Sequence, residues 1–482
     1  MTDTLSNPHA APGSAAGPAA TDPQPGATDR VGVIFPTGML GGGFPPDTIR
    51  RGIELGADAI AVDGGSTDSG PSYLGTATAK TTGSAVARDL RLLLTAASAA
   101  GIPLIVTSCG TSGTDSGVDW IADMVTAIAE QEGLSFNVAR IYSEQQAGAL
   151  LPALHAGRIR PLPPLGPLQP DTLLSCTHIV GLMGHEPITQ ALDAGAQVVL
   201  AGRATDTSSV AALALRRGLP AGSAWHAAKT VECGGQCTTS PGRGGVYVHI
   251  DQGGFTVEPL DEQAACTPTS VAAHMIYENV DPFRMREPSG TLDTSQATYV
   301  ALDDRRVRVE GSRFEPAEQY TVKLEGSSLA GYETVILVGI RDPQILGDLD
   351  TWVSTLRSML TSRVQTLLGL QQGEYEIQIR CYGANAVLGP LEPETVAPRE
   401  VGVLFQARAA DQATATAIAK ITNPFLLHLP LPGSEHLPSF AFATSPAEME
   451  RGAVYEFVLN HAVDVDTPHQ LFRTVYSEVG HG

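Results

Sequence analysis

Lysine is scarce in this 482-residue chain, which contains only Lys80, Lys229, Lys323 and Lys420. Lysine and arginine together number 30 against 51 aspartates and glutamates, so the formal net charge is −21. Such a chain offers no basic patch for nucleic acid or for an anionic membrane surface. An anionic ligand therefore has to be held locally, by an arginine, a histidine or a helix N-terminus.

Long apolar runs are also missing, because no stretch reaches the roughly 18–20 residues that a membrane-spanning helix needs. The six cysteines are irregularly spaced, at Cys109, Cys176, Cys233, Cys237, Cys266 and Cys381. This spacing fits reduced thiols better than a disulfide framework. Residues 1–30 are rich in alanine, proline and glycine and lack the regions of a signal peptide. We expect a disordered tail there and a cytoplasmic protein.

Short apolar runs bounded by glycine alternate with amphipathic helices over residues 31–244. Runs such as "VGVIFP", "AIAVD", "PLIVTS", "THIVGLM" and "QVVLAG" each precede a helical pattern. This alternation predicts an α/β fold with buried parallel strands and crossover helices. We expect an open, mostly parallel three-layer sheet of the Rossmann-like type. A closed barrel is less favoured, since residues 158–176 break the alternation that a barrel would keep.

The pattern changes after about residue 244 to longer alternating strands. Two predicted strands and a helix come last, after a long helix at about residues 347–368. This order predicts a second, α+β domain over residues 245–482 with a ferredoxin-like split βαβ core. "VYVHID", "FTVEPL", "TYVALDDRRVRVEG", "YTVKLEG" and "ETVILVGI" are its first expected strands.

Two loops after the first predicted strands contain glycines and acids. Gly41, Gly42 and Gly43 could let backbone amides hold an anion, with a flexible turn as the alternative. Asp63, Ser66 and Asp68 follow the second strand, where carboxylates could move protons or hold a divalent cation. The alternative for this acidic loop is a turn capped by its own side chains.

Two further loops carry charged side chains at the same expected edge of the sheet. His185, next to Glu186, is a candidate for acid–base chemistry, with a solvated turn as its alternative. Arg203 has the fork that suits a carboxylate or phosphate, and a structural ion pair is its alternative. Asp206 has a structural explanation as a helix cap.

A glycine-rich turn, "VECGGQC", brings a glutamate and two cysteines together. Cys233 is a candidate nucleophile with Glu232 as its base, although structural thiols are the favoured alternative. The C-x₃-C pair of Cys233 and Cys237 is weak evidence for zinc, and we assign no metal ligand. Cys109 after the third strand is likewise favoured as a core residue.

Six stretches together resemble the acyclic terpene utilisation A-like family: "GGGFPPDTIRRGIELGADAIAVDGGSTDSGPSYLG", "RDLRLLLTAASAAGIPLIVTS", "AGRATDTS", "VECGGQ", "HMIYENVDPFRMREP" and "GAVYEFVLNHAVDVDTPHQLFR". The resemblance covers nearly all of the chain after the tail. The positions that fall on the family's most recognisable motifs are Asp63, Ser66, Asp68, Tyr73, Arg203, Asp206, Glu232 and Cys233. Residues 109–117, "CGTSGTDSG", depart from the AGG-like sequence that relatives more often show.

The resemblance implies a metabolic enzyme, because the family's namesake lies in a pathway that degrades branched acids through CoA thioesters. We expect a lyase, hydratase or hydrolase acting on a small branched carboxylate or its acyl-CoA. Arg203 and Gly41–Gly43 would hold the anion, while Asp63 or Asp68 and His185 would move protons. No strong redox-cofactor motif is visible, and a divalent metal bridged by Asp63 and Asp68 is an alternative cofactor. The rival function is a non-catalytic, metabolite-binding subunit with a small companion protein, and a homo-oligomer is a further alternative.

Overall fold

A computed structural model describes residues 30–393 and 398–480 of the chain. Except for Arg30, the predicted tail over residues 1–30 lies outside these residues. Within the described part, no helix combines the length and the apolar character that crossing a membrane requires.

The first half of the described chain alternates strands and helices, as the sequence predicts. Its strands are β1 (Arg30–Phe35), β2 (Ala59–Asp63), β3 (Leu104–Thr107), β4 (Phe136–Tyr142), β5 (Ile159–Pro161), β6 (Cys176–Leu182) and β7 (Val198–Ala201). Its helices are α1 (Pro46–Glu54), α2 (Pro71–Thr76), α3 (Gly83–Ala100), α4 (Asp115–Glu132), α5 (Ala147–His155), α6 (Pro170–Leu174), α7 (Glu186–Asp193), α8 (Ser208–Arg216) and α9 (Ala221–Val231).

The second half is richer in strands. They are β8 (Val246–Asp251), β9 (Gly254–Pro259), β10 (Arg284–Glu287), β11 (Gly290–Asp293), β12 (Thr298–Ala301), β13 (Val307–Glu310), β14 (Arg313–Pro316), β15 (Thr321–Ile340), β16 (Tyr375–Tyr382), β17 (Val401–Ala409), β18 (Ala441–Phe442), β19 (Met449–Asp464) and β20 (Arg473–Val479). The helices are α10 (Pro268–Ala273), α11 (Pro343–Gly347), α12 (Leu349–Leu368), α13 (Gln412–Thr422) and α14 (Phe425–His428).

A ten-stranded sheet with the order β12-β13-β9-β8-β1-β2-β3-β7-β4-β20 forms the centre of the fold. Its five middle strands, β1, β2, β3, β7 and β4, run parallel. The strands on both flanks pair antiparallel. The mixed α/β prediction is therefore confirmed. The expectation of a mostly parallel sheet holds only for the centre of the sheet. Strands from later in the chain pair antiparallel with both of its edges.

Both faces of the parallel centre of this sheet are buried. Successive residues of a strand point to opposite faces, so Val33 belongs to an apolar cluster with Trp225 of α9, whereas Ile34 belongs to a second cluster with Leu93 of α3. The glycines that end α3 and α4 adopt left-handed conformations, which stop each helix and return the chain to the sheet. The strands consequently read as continuous apolar runs rather than alternating ones.

A seven-stranded sheet, with the order β16-β17-β15-β19-β5, lies beside the first, and β6 and β18 also pair with β15. The three strands β10, β11 and β14 form a third, small sheet. The helix α12 packs against the seven-stranded sheet, where its Trp352 and Leu356 form a further apolar cluster with Phe405 of β17.

Three strand predictions are wrong in detail. "THIVGLM" contributes β6, which pairs antiparallel with β15 rather than joining the parallel strands. "YTVKLEG" and "ETVILVGI" belong to the single strand β15, whose register against β19 is shifted at irregularities. "TYVALDDRRVRVEG" is the hairpin of β12 and β13. The first error concerns which strand a segment meets, and pairing over long distances leaves no local periodicity in the sequence. The other two errors concern where a strand begins and ends.

The predicted domain boundary at residues 244 and 245 falls inside the ten-stranded sheet. β8 and β9, which follow it, continue this sheet from β1. The Rossmann-like layering and the ferredoxin-like core stay predictions.

Candidate active site

A cavity of about 450 Å³ opens beyond the carboxyl ends of the parallel strands. Ligands commonly bind at this edge of α/β sheets because loops and helix N-termini meet there. Six residues that the sequence singles out line it: Asp63, Ser66, Asp68, Asp206, Glu232 and Cys233. The chain thus brings three separate predicted loops to one cavity.

Asp63 ends β2 and is 5% exposed. Its Oδ1 accepts hydrogen bonds from the Gly65 amide and the Thr107 hydroxyl, each at 3.3 Å. Burial, together with the charge of Asp206, raises the pKa of Asp63 well above its usual value, and Arg203 opposes this rise. A carboxyl group with a raised pKa can donate or accept a proton closer to neutral pH.

The acidic loop is both a capped turn and a wall of the cavity. Ser66 Oγ accepts a hydrogen bond from the Asp68 amide and donates to Asp68 Oδ2, both at 3.1 Å. These bonds cap a short 3₁₀ turn over Thr67–Ser69. Tyr73 lies on α2 outside the residues lining the cavity, and its carbonyl accepts a hydrogen bond from Ser112.

The predicted anion loop already holds a carboxylate of the protein. The amides of Gly41 and Gly43 donate to Asp89 Oδ2 at 2.9 and 3.0 Å. Asp89 lies on α3, is fully buried and also pairs with Arg88. An external anion at these amides would have to replace Asp89. The cavity instead meets the start of the loop at Gly38.

Arg203 is 4% exposed and lies in a network of polar groups. Its Nε donates to Glu325 Oε2 at 3.1 Å, and its Nη1 donates to Asp206 Oδ1 at 3.2 Å. The hydroxyls of Ser108 and Thr67 each lie 3.3 Å from a guanidinium nitrogen. These contacts match the ion-pair alternative. Arg203 is not among the residues that line the cavity, and its predicted role in anion binding stays a prediction.

Glu232 and Cys233 follow α9 and face the cavity beside a buried lysine. Lys229 Nζ donates to Glu232 Oε1 at 2.5 Å and to the Tyr277 carbonyl at 2.9 Å. Burial raises the pKa of Glu232 while Lys229 lowers it, and the rise prevails. Burial and the neighbouring charge of Glu232 raise the pKa of the Cys233 thiol.

His185 lies outside the residues that line the cavity. Its Nδ1 is 3.2 Å from the Thr189 hydroxyl, its Nε2 is 3.4 Å from Glu186, and its ring meets Trp225 edge to face. Burial lowers its pKa, and Glu186 opposes the change. The structure therefore does not bring His185 together with Asp63, and its role in proton transfer stays a prediction.

A model of the family described as acyclic terpene utilisation family protein AtuA matches residues 82–462. The chain belongs to this family. The matched range includes Arg203, Asp206, Glu232 and Cys233, and it begins after the acidic loop. A search of curated proteins found no match, and neither did a search of solved structures.

In this AtuA-family chain, several polar residues of the site escape prediction from the sequence. Lys80, Tyr277 and Glu278 line the cavity, Lys229 contacts the lining residues Glu232 and Tyr277, and Glu325 contacts Arg203. Lys229 had a usable signal, because a lysine in the mostly small and apolar α9 needs a partner three or four residues away. Glu325 had no such signal, since its contact with Arg203 depends on where β15 lies in the folded protein.

Proposed function

We propose that this protein is an enzyme of the lyase, hydratase or hydrolase type that acts on a small branched carboxylate or its CoA thioester. The substrate's reacting carbon would lie in the cavity, and Asp63 would transfer the proton. The observation that carries this proposal is the position of Asp63: its carboxyl group is buried, lines the cavity and has a raised pKa. Perturbed carboxyl groups in a cleft are typical of acid–base sites.

The cavity is acidic, so an anionic substrate needs neutralising partners there. Asp63, Asp68, Asp206, Glu232 and Glu278 would repel a carboxylate if all of them were ionised. A protonated Asp63 removes one of these charges and becomes a hydrogen-bond donor, as carboxylic acids do in other enzyme sites. Lys80 supplies an exposed ammonium group on the cavity wall. A substrate carboxylate would pair with Lys80 while Asp63 faces the reacting carbon.

The size of the cavity is consistent with this substrate class. Small-molecule sites usually measure roughly 300–1,000 Å³, and this cavity measures about 450 Å³. An acyl group of several carbons fits that volume. The nucleotide part of a CoA ester would extend outside it, so we expect the acyl group to decide specificity.

A ligand panel combined with one substitution tests the proposal. Thermal shift of the wild-type protein against acyl-CoAs, branched hydroxy acids and amino acids identifies the ligand class, and turnover is then measured on the ligands that bind. Asp63→Asn keeps the shape of the side chain and should lower turnover by about 10²–10⁴-fold while retaining ligand binding. Asp123→Asn, on the exposed face of α4, is the matched control and should leave turnover unchanged. Unchanged turnover in Asp63→Asn would overturn the proposal.

One observation favours the second candidate, a non-catalytic partner subunit. Ile276, Val280 and Phe283 are exposed on the segment that also supplies Tyr277 and Glu278 to the cavity wall. Exposed apolar side chains grouped in this way often mark a contact with another protein. If an assembled complex turned over a substrate equally well with wild-type chain and with Asp63→Asn, this function would replace the enzymatic one.

A further inference from the structure

Glu232, Cys233 and His274 form a cluster of three different donor types, which we call the Glu-Cys-His cluster. One carboxylate oxygen, the thiol sulfur and one imidazole nitrogen all lie within 4.8 Å of one another. Glu232 and Cys233 follow α9, whereas His274 begins a 3₁₀ turn after α10, 41 residues further along the chain. The cluster therefore does not form a contiguous motif in the sequence.

His274 provides an independent reason to expect a ligand here. The side chain is 5% exposed, and its Nε2 has no hydrogen-bond partner among the described residues. Its ring stacks on Tyr277 with the centroids 5.5 Å apart, which holds the imidazole in place. A buried polar atom without a partner destabilises the fold and calls for an explanation.

The donor set selects the kind of ligand. Sulfur and imidazole nitrogen bind zinc and similar first-row transition metals, whereas magnesium and calcium prefer oxygen alone. In a tetrahedral site with bonds of about 2.0–2.3 Å, the donor atoms lie roughly 3.3–3.8 Å apart. A contraction of at most about 1–1.5 Å would bring the three donors to that spacing.

We propose that the Glu-Cys-His cluster binds a divalent transition metal of the zinc class. Binding forms bonds from the metal to the thiolate, the imidazole and the carboxylate, and the Cys233 thiol proton leaves to solvent. Because Glu232 and Cys233 line the cavity, a coordination position left open on the metal would be reached from it. Three protein ligands with one open position are typical of catalytic zinc sites rather than structural ones.

Lys229 is not one of the three donors, but it contacts the donor Glu232. Its ammonium group holds Glu232 Oε1 at 2.5 Å and the Tyr277 carbonyl at 2.9 Å, so it orients the carboxylate. Outer partners of this kind commonly position metal ligands. The charges of the thiolate and the carboxylate together balance that of a divalent metal.

Metal binding can be tested without any substrate, so its outcome is separate from that of the proposed enzymatic function. The full-length protein is treated with a chelator, and cobalt(II) is titrated in while the thiolate-to-cobalt charge-transfer absorption is recorded. We expect one equivalent of cobalt per chain, a charge-transfer band and displacement of cobalt by zinc. Cys233→Ser should abolish the band. His274→Gln should weaken binding more than the roughly 10–100-fold that loss of an outer partner costs.

Two cysteine variants serve as matched controls. Cys176→Ser, on β6, and Cys237→Ser, four residues after Cys233, should each keep the band. Circular dichroism of every variant checks that it folds, and Cys233→Ser alone suffices if His274→Gln does not fold. The proposal is overturned if no stoichiometric metal binds, if Cys233→Ser leaves the band intact, or if Cys237→Ser removes it.

Discussion

Arg203 Nε donates to Glu325 Oε2 at 3.1 Å and thereby joins the two large sheets of the protein. Arg203 follows β7 in the ten-stranded sheet, and Glu325 lies on β15 in the seven-stranded sheet. The two residues are 4% and 5% exposed. Lys323 Nζ also contacts Glu325, at 2.8 Å from Oε1. The pair fixes the loop that carries Asp206 and therefore one wall of the cavity.

Breaking this pair should destabilise the protein strongly. Removing one partner of a buried ion pair leaves an unpaired charge and costs about 3–5 kcal/mol. We expect Arg203→Met to lower the free energy of unfolding by that amount in urea denaturation. Asp193→Asn, which removes the exposed partner of Arg216, is the control and should change it by no more than about 0.5 kcal/mol. A small effect of Arg203→Met would contradict the structural role of the pair.

The same pair should contribute to stability in a pH-dependent way. Burial alone would raise the pKa of Glu325, but Arg203 and Lys323 lower it to about 2. A lowered pKa means that the stabilisation is fully present above about pH 4.5 and is lost as the pH falls towards 2. Glu325→Gln should therefore flatten the decline of the unfolding free energy in this window. Equal slopes in the two proteins would argue against the ion pair.

Asp63 should show the opposite dependence. Because its pKa is raised in the folded protein, its ionisation opposes folding increasingly as the pH rises from about 4 through the folded pKa. Asp63→Asn removes this penalty, so its stability relative to wild type should increase between pH 4 and 8. The gain is about 1.4 kcal/mol for each unit of pKa difference. Thermal and urea unfolding at several pH values measure it, and a constant difference would show that Asp63 titrates normally.

Asp89 should be needed to hold the glycine loop. Asp89→Ala leaves the Gly41 and Gly43 amides without their acceptor, which costs about 1–3 kcal/mol. Hydrogen exchange of these two amides should also accelerate. Asp123→Ala on the exposed surface should change neither quantity. If the amides stay protected in Asp89→Ala, another group holds the loop.

The sequence predicts the parallel centre of the fold well because the information there is local. Each buried strand is a short apolar run, and a left-handed glycine ends each of the two long helices that follow β2 and β3. The carboxyl ends of parallel strands lie at one edge, so the sequence alone predicts that Asp63 and Asp206 lie near each other.

What could not be predicted depends on contacts between distant segments. Asp89 occupies the glycine loop from α3, 46–48 residues away, and Glu325 reaches Arg203 from 122 residues away. In the sequence, both acids look like ordinary residues of a helix and a strand. Only the tertiary structure therefore shows that a carboxylate of the protein already occupies the predicted anion site. The same reason explains why the sequence predicts β6 in the wrong sheet.

His226 should make the protein less stable as the pH falls below 6.5. The residue is fully buried on α9, where its Nδ1 lies 2.7 Å from the Ser312 hydroxyl and its ring meets Phe255 edge to face. Burial lowers its pKa to about 3. Below pH 6.5 the imidazole of His226 therefore binds a proton in the unfolded chain but not in the folded protein. Stability that is present above pH 6.5 is lost on acidification. His226→Gln should remove about 2 kcal/mol of the wild-type loss between pH 6.5 and 5, whereas the exposed His155→Gln should remove none; identical slopes in all three proteins would contradict this.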